Sequence, residues 1–449
     1  MSGIMGGLLS SYSIQTPATL VMNLDATVGA MPGSNITTSA SFDGSTQRLS
    51  TTGLLATGAA EGTNMGTGNF TWECWVRPTA SIGYQAFIDT RGQETGYSAV
   101  ETDGAFFGLN NNTLFPIYYS SGALITSSIA VTLNTWTHVA VVRNSGTTTL
   151  YVGGVSGGTY ADSLDLSAPY VNIGGTAIGG LWLTGQISNL RMVKGTAVYT
   201  AGFVPPTSTL RAIAGTQLLL PLAATVFTDM SSNLLAITNT GTVITTAQAP
   251  TLAAATTDFT GTYAITTTNA GATITYNSAN GGVFRKSTSS GADVMILGPN
   301  YVTGQSYSVF MAYKISATSA GRLLNTNSEA TKDWLLGAYN GNPNAFYPNF
   351  SVNLPSTGAD TVWHFAWGTF NTGTSLGQLY TATSAQPTGT SFAVTNAGGG
   401  GFNQLRLFSR SAGSEVQTAD IGMIRVYNGV VTLAQVQSQY AAFKARFGY

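Results

Sequence analysis

Along most of this chain, apolar and polar residues alternate one by one, and the alternating stretches are short. Clusters of Gly, Asn, Ser and Thr separate them. A period of two with turn chemistry between segments predicts β-strands. In residues 70–76, Phe70, Trp72, Cys74 and Val76 fall on one face, and Thr71, Glu73 and Trp75 on the other. Residues 136–142 read as a buried strand. Residues 147–152 read as its hairpin partner, because Ser145-Gly146 and Gly153-Gly154 are turn residues. Many short strands without intervening helices predict sandwiches rather than a parallel α/β sheet.

One segment departs from this pattern. Thr432 and Gln435 have the spacing of a capping box. Leu433, Val436, Tyr440, Phe443 and Phe447 then recur every three or four residues, an apolar helical stripe. Lys444 and Arg446 sit in the last turn, where the helix dipole favours cations, and Gly448 suits the position after it. The spacing predicts an amphipathic helix over 432–447, packed on a sheet or a neighbouring chain.

The chain also echoes itself. Trp136 and His138 open one apolar strand, and Trp363 and His364 open another. Gly185 to Arg191 is echoed by Asp420 to Tyr427, and residues 70–76 by 307–313. Three landmarks in one order predict two units of one β-fold, with the two histidines at matching positions. The expected organisation is an arm over 1–18, a first unit over 19–244, a linker over 245–257 and a second unit over 258–449. The linker is placed where Ala and Thr crowd around Pro250.

Composition narrows the function. The 17 basic and 18 acidic side chains make only 8% of 449 residues and leave a formal net charge of −1, so no basic field exists to hold nucleic acid. Cys74 is the sole cysteine, which excludes an internal disulfide and a Cys/His zinc site. No apolar run reaches the length of a membrane span, and residues 1–11 lack the pattern of a secretory signal. The 54 glycines and 47 aromatic residues describe a neutral surface of hydroxyls, amides and backbone over apolar cores. Such a surface suits a particle component or a carbohydrate binder better than an enzyme of charged metabolites.

With these landmarks, the first half resembles the laminin G-like, or concanavalin A-like, jelly-roll domains common in phage structural proteins. The resemblance rests on residues 41–49, 70–78, 136–140, 150–154 and 185–191, and most specifically on the run 194–206 ending in Pro205-Pro206. It covers residues 20–225, and a more diverged form covers 255–449. It implies an all-β protein of two tandem concanavalin A-like jelly-roll sandwiches, with ligands held by rim loops. The chain departs from the family at Ser188, where an acid is common, and at Gly153-Gly154, where Asp-Gly is common.

Candidate chemistry is sparse. Retaining glycoside hydrolysis needs paired carboxylates, and only Glu101 and Asp103 have the alternate spacing. A nucleophilic triad would need His138 or His364, and neither has a nucleophile motif beside it. No catalytic residue and no metal ligand set is expected; calcium is the one ion left open, with Asp43, Asp103, Asp162, Asp165 and Asp229 as loop carboxylates. For sugars, amides beside aromatic faces are the useful equipment. Asn110, Asn111 and Asn112 with Tyr118 and Tyr119 offer it, as do Tyr339, Asn342 and Asn344 with Phe346 and Tyr347 in the second half. Ile4, Met5, Leu8, Leu9 and Tyr12 suit an arm that docks on another subunit.

The reading is a non-enzymatic structural protein of a phage virion, either a capsid decoration or fibre protein or a tail fibre or spike. It would be a homo-oligomer joined to other virion proteins. The alternative is a host-glycan lectin or a depolymerase.

Overall fold

The structure is a computed structural model. It describes residues 18–51, 64–91, 104–119, 123–167, 170–176, 180–268, 271–289, 293–298, 306–316, 321–326, 334–339, 342–348, 361–382, 387–393, 402, 404–410 and 414–447. The five arm residues named above and the pair Glu101 and Asp103 lie outside them.

The described strands form four antiparallel sheets stacked in two pairs. In the first pair, the front sheet runs in the order Val155–Ala161, Thr147–Val152, Thr137–Asn144, Phe70–Pro78, Thr184–Lys194, Ser39–Asp43, Ile244–Thr246. Its back sheet runs Ile237–Thr240, Arg48–Thr51, Asn172–Ile173, Gln85–Asp89, Phe106–Leu109, Pro116–Tyr119, Ala123–Thr126. Phe70, Trp72, Cys74 and Val76 all point into the core between them, as the alternation requires. The Cys74 thiol, buried and beside the Glu73 charge, is pushed above its ordinary value.

The second pair repeats this order. Its front sheet runs Pro387–Ala393, Leu376–Ala382, Trp363–Asn371, Tyr307–Ile315, Ala419–Asn428, Val283–Lys286, Ile274–Asn277. Its back sheet runs Ala264–Thr268, Val294–Gly298, Leu405–Leu407, Leu324–Thr326, Trp334–Tyr339, Asn342–Pro348. The helix Leu433–Phe447 covers the outer face of this front sheet, where Tyr440, Phe443 and Phe447 meet Phe365 and Trp363. Its capping box is formed: the Gln435 amide N–H donates to Thr432 Oγ1 at 3.3 Å, and the Thr432 N–H donates to Gln435 Oε1 at 2.8 Å.

Two long-range features depart from the sequence reading. The strand Thr19–Asp25 does not join the first sandwich; it pairs with Ala419–Asn428 in the second front sheet. There it fills the place that Thr216–Leu220 fills beside Thr184–Lys194 in the first. Alternation identifies a strand but not its sheet, and Met22 and Leu24 fit the core of the second sandwich. The stretch expected as the linker, 245–257, is hydrogen-bonded to other segments. Ile244–Thr246 is a strand on Ser39–Asp43, and the 252–254 backbone bonds Ser34 and Ile36 on one side and Thr207 and Thr209 on the other.

The matching histidines also need correction. Their strands correspond, but one residue separates Trp136 from His138 and none separates Trp363 from His364. With a period of two, that single residue reverses the face. His138 faces outward against Tyr199 and Phe203. His364 stacks 5.3 Å from Tyr313, a core residue between the sheets.

Candidate functional site

The Asn110 to Asn112 run forms the turn between Phe106–Leu109 and Pro116–Tyr119. The Asn110 N–H donates to the Phe115 carbonyl at 3.0 Å, closing the hairpin, and Asn112 takes the left-handed conformation that Asn tolerates. Asn112 ties this turn to a neighbouring loop: its N–H donates to the Gly83 carbonyl at 3.1 Å and its Oδ1 accepts from the Gly83 N–H at 2.9 Å. Its Nδ2 donates to Asn111 Oδ1, and Asn110 Oδ1 accepts from the Asn111 N–H. The Nδ2 groups of Asn110 and Asn111 have no partner among the described residues, and Asn111 is exposed.

Tyr118 is not part of this surface. It is fully buried, with its ring 6.4 Å from Phe70 and 6.3 Å from Trp72. Strand alternation sends Tyr118 into the core and Tyr119 to the outer face. The aromatic residue that accompanies the amides is Tyr84, next to Gly83. It is 40% exposed, in a rim that also exposes Phe115 and Ile82. Tyr84 stands edge-on to Phe106 at 6.3 Å. The Arg91 guanidinium lies over Phe106 at 4.9 Å and Tyr119 at 5.3 Å, held by two hydrogen bonds to Asp89 of 3.0 and 2.9 Å. The back sheet of the first sandwich thus carries an outer aromatic face, rimmed by two cross-bonded loops with free amide donors. Nothing in the alternation of residues 79–84 marked Tyr84, since it lies just ahead of its strand.

The second cluster is closed. Tyr339 has Arg322 over its ring at 4.9 Å and Tyr347 edge-on at 5.4 Å. Asn344 Oδ1 accepts from the Tyr313 hydroxyl at 3.3 Å. Asn342 pairs through its backbone with Tyr339, and its side chain lies outside the described residues.

No group of three or more His, Cys, Asp or Glu residues suited to a metal occurs among the described residues. Of the loop carboxylates, Asp43, Asp162 and Asp229 are already engaged, Asp165 is exposed, and Asp103 lies outside the described residues. Asp43 accepts from the N–H groups of Ser45, Thr46 and Gln47 and from two hydroxyls. Desolvation alone would raise it, but those bonds hold it below the ordinary carboxylate range. Asp229 is buried and accepts from the N–H groups of Leu219, Ser231 and Leu235 and the Ser231 hydroxyl. Asp162 accepts from the Thr148 hydroxyl at 2.6 Å and from the Leu164 N–H at 3.0 Å, beside Arg143.

The outer face of the first front sheet carries a buried polar cluster that the sequence reading passed over. Glu73 receives Arg191 Nε at 2.9 Å and Nη2 at 2.6 Å, the Tyr199 hydroxyl at 2.7 Å, and lies 3.1 Å from His138 Nε2. Burial raises this carboxyl; Arg191, His138 and Tyr199 outweigh burial and bring it down to about 2. Tyr199 belongs to the run after Lys194, which straps across the sheet with Tyr199 and Phe203 stacked at 3.6 Å. The Phe203 N–H donates to the Gly154 carbonyl at 3.0 Å. A Cβ on Gly154 would lie 1.9 Å from the Phe203 oxygen, so glycine at this position makes room for the strap, whereas a Cβ at Gly153, where the chain departs from Asp-Gly, would meet nothing within 4 Å.

Residues 50–197 match the family model of the concanavalin A-like lectin/glucanases superfamily, laminin G type. The fold is concanavalin A-like. Solved structures similar to this chain include a Bacteroides ovatus protein described as a candidate for carbohydrate binding, 16% identical, TM-score 0.39, covering 49% of this chain and 62% of that one. Domains LG4-5 of the mouse laminin α1 chain are 11% identical, TM-score 0.27, covering 89% of this chain and 92% of that one. Domain 4 of the Geobacillus stearothermophilus arabinanase AbnA, solved with arabinotriose, is 14% identical, TM-score 0.27, covering 41% and 96%. Comparison with curated proteins returns no match.

Proposed function

We propose that this chain is a non-enzymatic glycan-binding protein of a virion, which meets host-surface sugar through the rim of its first sandwich. The observation that carries the reading is the pairing of the exposed Tyr84 with the amide turn Asn110 to Asn112 through the reciprocal Gly83 bonds. A pyranose presents C–H groups that stack on a ring and hydroxyls that pair with amides. The matching strand order of the two sandwiches supports a duplicated laminin G-like domain. The virion placement rests on the likeness of the 194–206 strap to phage members of the family. In that setting, residues 1–18 are the anchoring arm and the chain works as a homo-oligomer.

A glycan array probed with the purified chain tests the sugar half. Micromolar binding to one sugar class, reduced at least tenfold in Tyr84→Ala and in Asn111→Ala, is the expected outcome. No binding to any sugar removes the reading, and release of reducing ends makes the chain a depolymerase. Density for this chain on an intact particle tests the placement.

A further inference from the structure

Where the strap ends, it meets the segment that joins the two sandwiches, and the surface opens into a cleft of about 470 Å³. That volume lies in the range of small-ligand sites. It is lined by Pro206 and Ser208 to Arg211, by the bonded neighbouring segment Ala253 to Thr257, and by Gly33. Ser208 and Thr256 are exposed hydroxyls within it. The walls are held by backbone bonds, Thr209 N–H to the Ala253 carbonyl at 2.9 Å and Ala253 N–H to the Thr207 carbonyl at 3.1 Å.

Arg211 is the charged residue of this lining. Its guanidinium lies 4.6 Å over the Phe259 ring, and Nη2 donates to the Ala255 carbonyl at 3.1 Å. Nη1 donates to the Leu210 carbonyl at 3.4 Å, and Nε is buried without a partner among the described residues. No carboxylate of the described residues lies within 4 Å of it. The neighbouring Asp258 is already engaged, accepting from the N–H groups of Asn23, Thr260 and Tyr263 and from the Thr260 hydroxyl. The guanidinium has no ion-paired carboxylate among the described residues, and Nη1 and Nη2 each make a single bond there, so the N–H groups left over match a carboxylate in geometry and charge.

We propose that this cleft binds a carboxylated monosaccharide unit, a uronate, with its carboxylate on Arg211 and its ring hydroxyls on Ser208 and Thr256. The sugar half of the assignment rests on the glycan-binding reading above; the carboxylate half stands on Arg211 itself.

The test is titration of the full chain with sodium glucuronate, glucose and sodium acetate at fixed ionic strength, followed by calorimetry and saturation-transfer NMR. Glucuronate should bind at least tenfold more tightly than glucose or acetate, and Arg211→Gln should erase that preference. Thr256→Trp fills the exposed mouth and leaves the guanidinium in place. It should block glucuronate at an unchanged melting temperature, which keeps the test decisive if Arg211→Gln folds poorly. Glucose or acetate binding as tightly as glucuronate overturns the proposal. So does glucuronate binding that survives Thr256→Trp. Loss in Tyr84→Ala in place of Thr256→Trp assigns the ligand to the rim, against this cleft and in favour of the glycan reading.

Discussion

The Glu73 carboxylate and the His138 imidazole lie 3.1 Å apart on adjacent strands, both fully buried beneath a strap that enters the sheet's outer face only after Lys194. The strap's Tyr199 completes the pair, and Arg191 supplies the balancing charge. Removing Glu73 would leave Arg191 buried without its carboxylate. Glu73→Ala should therefore cost about 3–5 kcal/mol, measured by urea unfolding.

The same carboxyl sets an acid limit. Its folded value is about 2, below its ordinary 4.5. A depressed acid contributes stability that is fully present above the unfolded value and lost as pH falls through the folded one. Stability should drop between about pH 4.5 and pH 2, and Glu73→Gln should flatten that part of the profile. An acid limb of unchanged slope in Glu73→Gln would assign the loss to other carboxylates.

Gly154 allows the strap to dock. Gly154→Ala places a methyl group against the Phe203 carbonyl and strains a residue at φ +81°. Limited proteolysis should then cut between Lys194 and Pro206 while the sandwich core remains intact. A strap as resistant as in the parent chain would contradict this.

Tyr84 and Tyr118 separate binding from folding. Tyr84→Ala, at a 40% exposed position, should leave the melting temperature within a degree or two and weaken glycan binding. Tyr118→Ala opens a cavity among Phe70 and Trp72 and should cost about 3–5 kcal/mol.

The helix carries the fifth prediction. Phe443 is fully buried and packs 5.2 Å from Phe365. Phe443→Asp places a charge on that face and should destabilise the second sandwich by several kcal/mol. An unchanged denaturation midpoint would show that the helix face is not packed.

The local elements were legible in the sequence because each is governed by neighbours a few residues away. The Phe70 face, the 136–152 hairpin and the Thr432 capping box all follow from period and turn chemistry. What depends on parity is lost at single residues: Tyr118 goes to the core while Tyr119 alone of the pair reaches the outer face, and His138 and His364 lie on opposite faces. What depended on distance was lost altogether. Nothing near Thr19 says that its partner is Asn428, and nothing near Glu73 says that Tyr199 will cover it. The Arg211 cleft likewise exists only because three remote segments converge.

The partnership of Thr19–Asp25 with Ala419–Asn428 has a consequence for how the chain is made. Asn23 and Arg425, which meet in the finished fold, are 402 residues apart. At about 5–20 residues per second, the first strand leaves the ribosome roughly 20–80 seconds before its partner. The first sandwich can close during that interval, but the second must wait until residues 419–428 have been made. A nascent chain released before that point would display Thr19–Asp25 without its partner.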